Sequence, residues 1–134
     1  MNFIKLGLFA TFTLIMGCVY ASVSNMEGAG QCVGMMSTGG VYKISGKDWS
    51  PNSKAIFSKY YPTLQKLAPI VDGCTQGSSD INKFKLCVGK LPNQTDRDFV
   101  LGFNDGMNAA QKSFSDGGPN LLKTTVELTC SGIK

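Results

Sequence analysis

Apolar residues recur along this chain at helical spacing, in stretches separated by turn-forming residues. Met26, Ala29, Val33 and Met36 follow one another at spacings of 3, 4 and 3, with Cys32 beside them. Gly28, Gly30 and Gly34 weaken that helix by propensity, and close helix packing is the better account of them. Thr38-Gly39-Gly40 breaks the element, and Val41 to Ile44 reads as a short strand or extended segment. Ser50-Pro51 is a helix start, serine at the cap and proline at the first helical position. Ile56, Tyr60, Leu64, Leu67 and Val71 form the stripe of that helix. Pro62 and Pro69 predict a kink or a division into two short helices near Tyr61-Pro62, with Gly73 as the terminal cap.

Ser79 or Asp80 caps the next helix, whose apolar positions are Ile81, Phe84, Val88 and Leu91, and Pro92-Asn93 stops it. Thr95 with Asp98 resembles a capping box. It opens the clearest helix in the chain, with Phe99, Phe103, Met107, Ala110 and Phe114 on one face. Gly102, Gly106 and Ala110 form a ridge of small residues beside that face. The ridge implies close approach of a neighbouring helix, and the one carrying Cys32 is the candidate. Gly117-Gly118-Pro119 ends the segment. In the tail, Leu121, Leu122, Thr125 and Leu128 suit a helix, whereas Val126, Leu128 and Cys130 alternate as in a strand. Helix is favoured, since nothing else offers a sheet. The expected fold is all-α, a compact bundle of four or five short helices.

The first 21 residues follow a different pattern. Lys5 precedes an apolar run from Leu6 to Met16, and Val19-Tyr20-Ala21 places small residues at a cleavage site. This is an export signal, followed by one domain over residues 22–134. Ile15-Met16-Gly17-Cys18 also resembles a lipobox, which would make Cys18 a lipid anchor. Cleavage after Ala21 is favoured over lipidation. The destination is periplasmic or secreted, or the cell envelope if Cys18 is lipidated. Membrane contact is expected only in that second case. Either route leaves Cys32, Cys74, Cys87 and Cys130 for the folded domain, enough for two disulfides in an oxidising compartment. Three connectivities exist. Cys74–Cys87 with Cys32–Cys130 is preferred, one closing a short loop and the other tying the ends of the domain.

Composition narrows the chemistry. The sequence has no histidine, which removes Ser-His-Asp and Cys-His catalysis and His-ligated zinc. The mature chain carries a net charge of +3, with Arg97 its only arginine. That is no nucleic-acid footprint. No Ser-x-x-Lys, Gly-x-Ser-x-Gly or calcium-loop pattern occurs, and no cofactor or metal is expected. Asp98 and Asp105, seven apart on one helical face, are the strongest pair for a hydrolase, but a solvated face explains them better. Asn93-Gln94-Thr95 fits a glycosylation acceptor that matters only in a eukaryote.

Binding is the better-supported category. Tyr42, Trp49, Tyr60 and Tyr61 lie within twenty residues, interleaved with lysines that include Lys47, and together they are the candidate contact with a protein partner. Their alternative role is to cover one end of the core. Met26, Met35, Met36 and Met107 are candidates to line a cavity for a small apolar ligand, with ordinary core packing as the alternative.

Cys32 in an early helix, Cys87 ahead of a helix bearing Phe99-x-x-Gly102-x-x-Asp105-Gly106, and a final Cys130 resemble the small exported Rap/Tai-type immunity proteins of type VI secretion. The resemblance covers the last third of the chain and one further cysteine. The chain departs from it in the gap between Cys87 and Phe99 and in the Pro92 break. It implies a helical, disulfide-bearing periplasmic protein that binds and neutralises a peptidoglycan-cleaving toxin. No binding residue is carried over. The expectation is therefore an exported, non-enzymatic binding protein, of immunity or inhibitor type. A carrier of apolar ligands and an envelope lipoprotein are the alternatives.

Overall fold

A computed structural model describes residues 24–44, 48–75 and 80–133. Residues 1–23, which include the expected export signal and Cys18, residues 45–47, which include Lys47, and residues 76–79 lie outside those described. The described chain forms four helices: α1 (Asn25–Val41), α2 (Pro51–Thr75), α3 (Ile81–Val88) and α4 (Gln94–Ser131). There is no strand among the described residues, and the fold is the expected all-α bundle with two disulfides. Cys32 pairs with Cys130, and Cys74 pairs with Cys87.

Helix α4 is two limbs. Its backbone leaves helical geometry at Gly118 (φ 70°, ψ −158°), a positive φ that a residue with a side chain would adopt only under strain. Pro119, with no backbone N–H to satisfy, then opens the second limb. The chain doubles back here. Ser113 Oγ lies 3.3 Å from Thr125 Oγ1 across the bend. The order of contacts along α1 shows the same reversal. Glu27 and Gln31 meet Gly102 and Gly106 in ascending order, whereas Gly28 meets Ile133 and Cys32 meets Cys130 in descending order. Helix α1 therefore runs parallel to the first limb and antiparallel to the second.

The small-residue ridge works as expected on the first limb. A Cβ at Gly102 would overlap the Glu27 carbonyl, and one at Gly106 would overlap that of Gln31. In return, Cβ atoms at Gly30 and Gly34 would overlap the carbonyls of Phe99 and Phe103. Two glycines on each helix thus let the backbones touch, as the close-packing reading of Gly30 and Gly34 expects. Around this seam, Val33, Leu67, Val88, Phe99, Val100, Leu122 and Val126 are fully buried. Burial of large apolar side chains at the centre is the main stabilising term.

Local expectations need correction at several places, among them α1, which continues through Gly39-Gly40 to Val41, and α3, which ends at Val88 before Leu91. Val41 to Ile44 is not extended: Ile44 N–H donates to Gly39 O and Lys43 N–H to Gly40 O, each at 3.1 Å. This paired closure places Lys43 at φ 63°, the left-handed position that usually holds glycine. Helix α2 is continuous through Pro62 and Pro69 and runs past Gly73 to Thr75. Both prolines are exposed, so water can solvate the carbonyls that lose their donors. The capping box at Thr95 does not form, because α4 starts earlier, with Asn93 at its cap. Asp98 instead accepts hydrogen bonds from Ser24 Oγ (3.0 Å) and Gln94 Nε2 (2.6 Å). Asp80 caps α3 through Asn82 N–H, and the ambiguous tail is helical.

The start of α2 has an unanticipated partner. Ser50 Oγ accepts from Ser53 N–H at 3.1 Å, as its cap position predicts. Ser50 N–H (2.8 Å), Ser50 Oγ (2.9 Å) and Ser53 Oγ all donate to the carboxylate of Glu127, on the second limb of α4. Burial alone would raise the Glu127 pKa. The hydrogen bonds from Ser53 and Ser50, helped by Lys123, outweigh it and hold the group below its ordinary value. A carboxylate at a helix N-terminus also complements the helix dipole.

Candidate functional site

The aromatic residues singled out for partner contact do not form one surface. Trp49 is 6% exposed and lies against Gly39 of α1, and Tyr60 is 8% exposed. The Tyr60 hydroxyl accepts from Asn25 Nδ2 at 3.1 Å, and its ring lies 6.5 Å from that of Phe99. Tyr42 is half-buried and stacks on Phe114 at 3.9 Å, near the bend of α4. These three residues cap the core, as large aromatic side chains in a small domain commonly do. The expectation that Trp49 and Tyr60 present themselves to a partner is overturned by their burial. Tyr61 is different: it is 43% exposed, with the ring of Phe57 at 5.6 Å. Phe57 lies one residue past Ile56, at the edge of the α2 stripe and half-buried, so a reading of the stripe's centre passes over it.

Met35 and Met36 belong to the buried core, and Met36 Sδ lies 4.0 Å from Cys32 Sγ. Met26 and Met107 are partly buried against that core. This is the packing role of methionine, filling irregular space.

The carboxylate pair is joined by a third member. Glu27 of α1 crosses the first limb of α4 at Gly102, between Asp98 and Asp105. Burial raises the Glu27 pKa, and the nearby charges of Asp105 and Asp98 raise it further. Burial pushes Asp105 up to about 6, against the opposing pull of Lys85. Asp105 also keeps contact with solvent, which screens its charge. Both oxygens of Asp98 already accept hydrogen bonds from side chains. Among the described residues, no group of three His, Cys, Asp or Glu is placed to hold a metal ion.

A raised folded-state pKa means that the folded protein binds the proton more tightly than the unfolded chain. The charged form of Asp105 is therefore a burden on folding at neutral pH, relieved as pH falls. The variant Asp105→Asn should melt at a higher temperature than the parent at pH 7.5. The gap should close as pH falls from about 6 through the unfolded value of 3.8. Melting curves recorded across that range check it; a gap independent of pH would remove the electrostatic explanation.

Asp96, in the first turn of α4, is buried and accepts from Lys66 Nζ of α2 at 3.1 Å. This pair ties the middle of α2 to the start of α4. Asn93 and Thr95 of the acceptor motif are both exposed. No described helix is long and apolar enough to cross a membrane. Comparison with known protein families, with curated proteins and with solved structures found no match.

Proposed function

We propose that this chain is an exported, non-enzymatic protein that acts by binding a protein partner in the periplasm or outside the cell, as an immunity or inhibitor protein does. The observation that carries this reading is a doubly cross-linked small bundle that leaves large apolar side chains on its surface. Leu86 and Leu128 are 72% and 70% exposed, and Tyr61 joins them. Disulfides belong to oxidising compartments, which agrees with the export signal at the N-terminus. Exposed aromatic and aliphatic groups on a rigid frame supply binding area at little cost in ordering. Asp98, one of the two carboxylates that would serve a hydrolase, is instead engaged with Ser24 and Gln94.

The test uses the mature, oxidised protein. It is cross-linked in periplasmic extract and its complexes are resolved by size and identified by mass. A saturable complex of fixed stoichiometry is expected with the folded protein and not with the reduced, alkylated chain. Equal retention by both forms, or no complex with either, would refute the reading.

A further inference from the structure

We infer that the outward face of α2 is the docking surface, and that it receives an acidic protein surface offering an apolar recess. This rests on the binding-protein reading and assigns it a site and a partner chemistry. Helix α2 carries Lys54, Lys59 and Lys66 against a single carboxylate, Asp72, near its C-terminal end. Lys54, Ser58, Tyr61 and Gln65 succeed one another at spacings of 4, 3 and 4, and all four are exposed. They form one strip along the helix. Tyr61 is the exposed aromatic of the described residues, and Phe57 backs it at 5.6 Å. Lys59 and Lys66 flank the strip on its other side. Lys59 Nζ stands 5.5 Å from the centre of the Tyr60 ring, and the Lys66 side chain is 62% exposed even while paired with Asp96.

The prolines complete the surface. Pro62 and Pro69 are exposed on this side and have no N–H, so the carbonyls of Ser58 and Gln65 lose their usual donors four residues on. Both carbonyls belong to residues of the strip itself. The face therefore presents positive charge, an aromatic anchor and backbone acceptors together. Charge complementarity selects an acidic partner and speeds encounter, while the aromatic supplies contact area. An anionic membrane fits less well, because Tyr61 is the only exposed large apolar group on the strip, with Phe57 and Leu64 half-buried beside it, and no broad apolar face is available to insert.

The experiment measures binding of a labelled Asp/Glu-rich, leucine-containing peptide to the mature oxidised protein by fluorescence anisotropy. Lys54→Glu with Lys59→Glu should weaken it about tenfold or more. Lys83→Glu with Lys90→Glu makes the same change in net charge on exposed residues elsewhere and should alter it by no more than about twofold. Tyr61→Ala, which changes no charge, should also weaken binding. These substitutions are at exposed positions, and circular dichroism checks that each variant is folded. Equal loss in the two charge pairs, no effect of Tyr61→Ala, tighter binding to phosphatidylglycerol vesicles than to the peptide, or no peptide binding would each overturn the inference. A cross-linked complex that persists unchanged in the α2 variants would overturn this site while leaving the binding-protein reading standing.

Discussion

Replacing both Cys32 and Cys130 by alanine should cost about 5 kcal/mol of stability, against about 3 kcal/mol for the same change at Cys74 and Cys87. The difference follows from chain length. The first bridge joins residues 98 apart and the second joins residues 13 apart, and a longer loop loses more freedom when it is closed in the unfolded chain. Packing widens the gap. Cys32 and Cys130 are both fully buried, so losing their sulfurs also leaves unfilled space beside Met36. Cys74 and Cys87 are half-buried and leave less behind. Position matters as well, since the long bridge fastens α1 to the second limb of α4 while the first limb grips its other side. Urea unfolding of the two double variants, measured side by side, gives the comparison. Equal losses, or a larger loss at Cys74–Cys87, would mean that the long bridge does not organise the bundle.

The sequence makes the helices legible because each buries one stripe. Ile56, Tyr60, Leu67 and Val71 are buried as their spacing predicts, as are Phe99, Phe103 and Ala110. The glycine ridge was also readable, because small residues at helical spacing have few uses other than close approach. What could not be read was long-range or depended on direction. Nothing near Glu127 indicates that it reaches 77 residues back in sequence to Ser50. Nothing near Glu27 indicates that it lands between two aspartates. Pro62 and Pro69 signalled a break, because local rules count the lost hydrogen bonds and cannot tell that both prolines face water. Gly117-Gly118-Pro119 signalled an end, and it is an end in direction. The aromatic segment misled for a related reason. Tyr60 and Tyr61 are adjacent, but a helix turns about 100° per residue, so one joins the core and the other faces solvent. A cluster in sequence was split by the helix that carries it, and the candidate surface moved to the strip around Tyr61.

Gly102→Ala should destabilise the protein by about 1–3 kcal/mol, although alanine is the better helix former by about 1 kcal/mol. The new methyl group would overlap the carbonyl oxygen of Glu27 and lie 2.8 Å from its carbon and 3.1 Å from its Cα. All three are backbone atoms of α1, so no side chain can rotate out of the way and the helices must separate. Separation strains the reciprocal contacts at Gly30 and Gly34 and pulls against the Cys32–Cys130 bridge on the far side of α1. Gly73→Ala is the matched control. It lies within α2, is exposed, and would place a methyl group with nothing within 4 Å. There the propensity term acts alone, and stability should rise by about 1 kcal/mol. The same substitution is thus expected to have opposite signs at two helical glycines, read from thermal or denaturant melts. A gain at Gly102 would show that α1 and α4 are not held by backbone contact. Their alignment, and with it the meeting of Glu27 with Asp98 and Asp105, would then have to be set by the apolar side chains around Phe99 and Val33 alone.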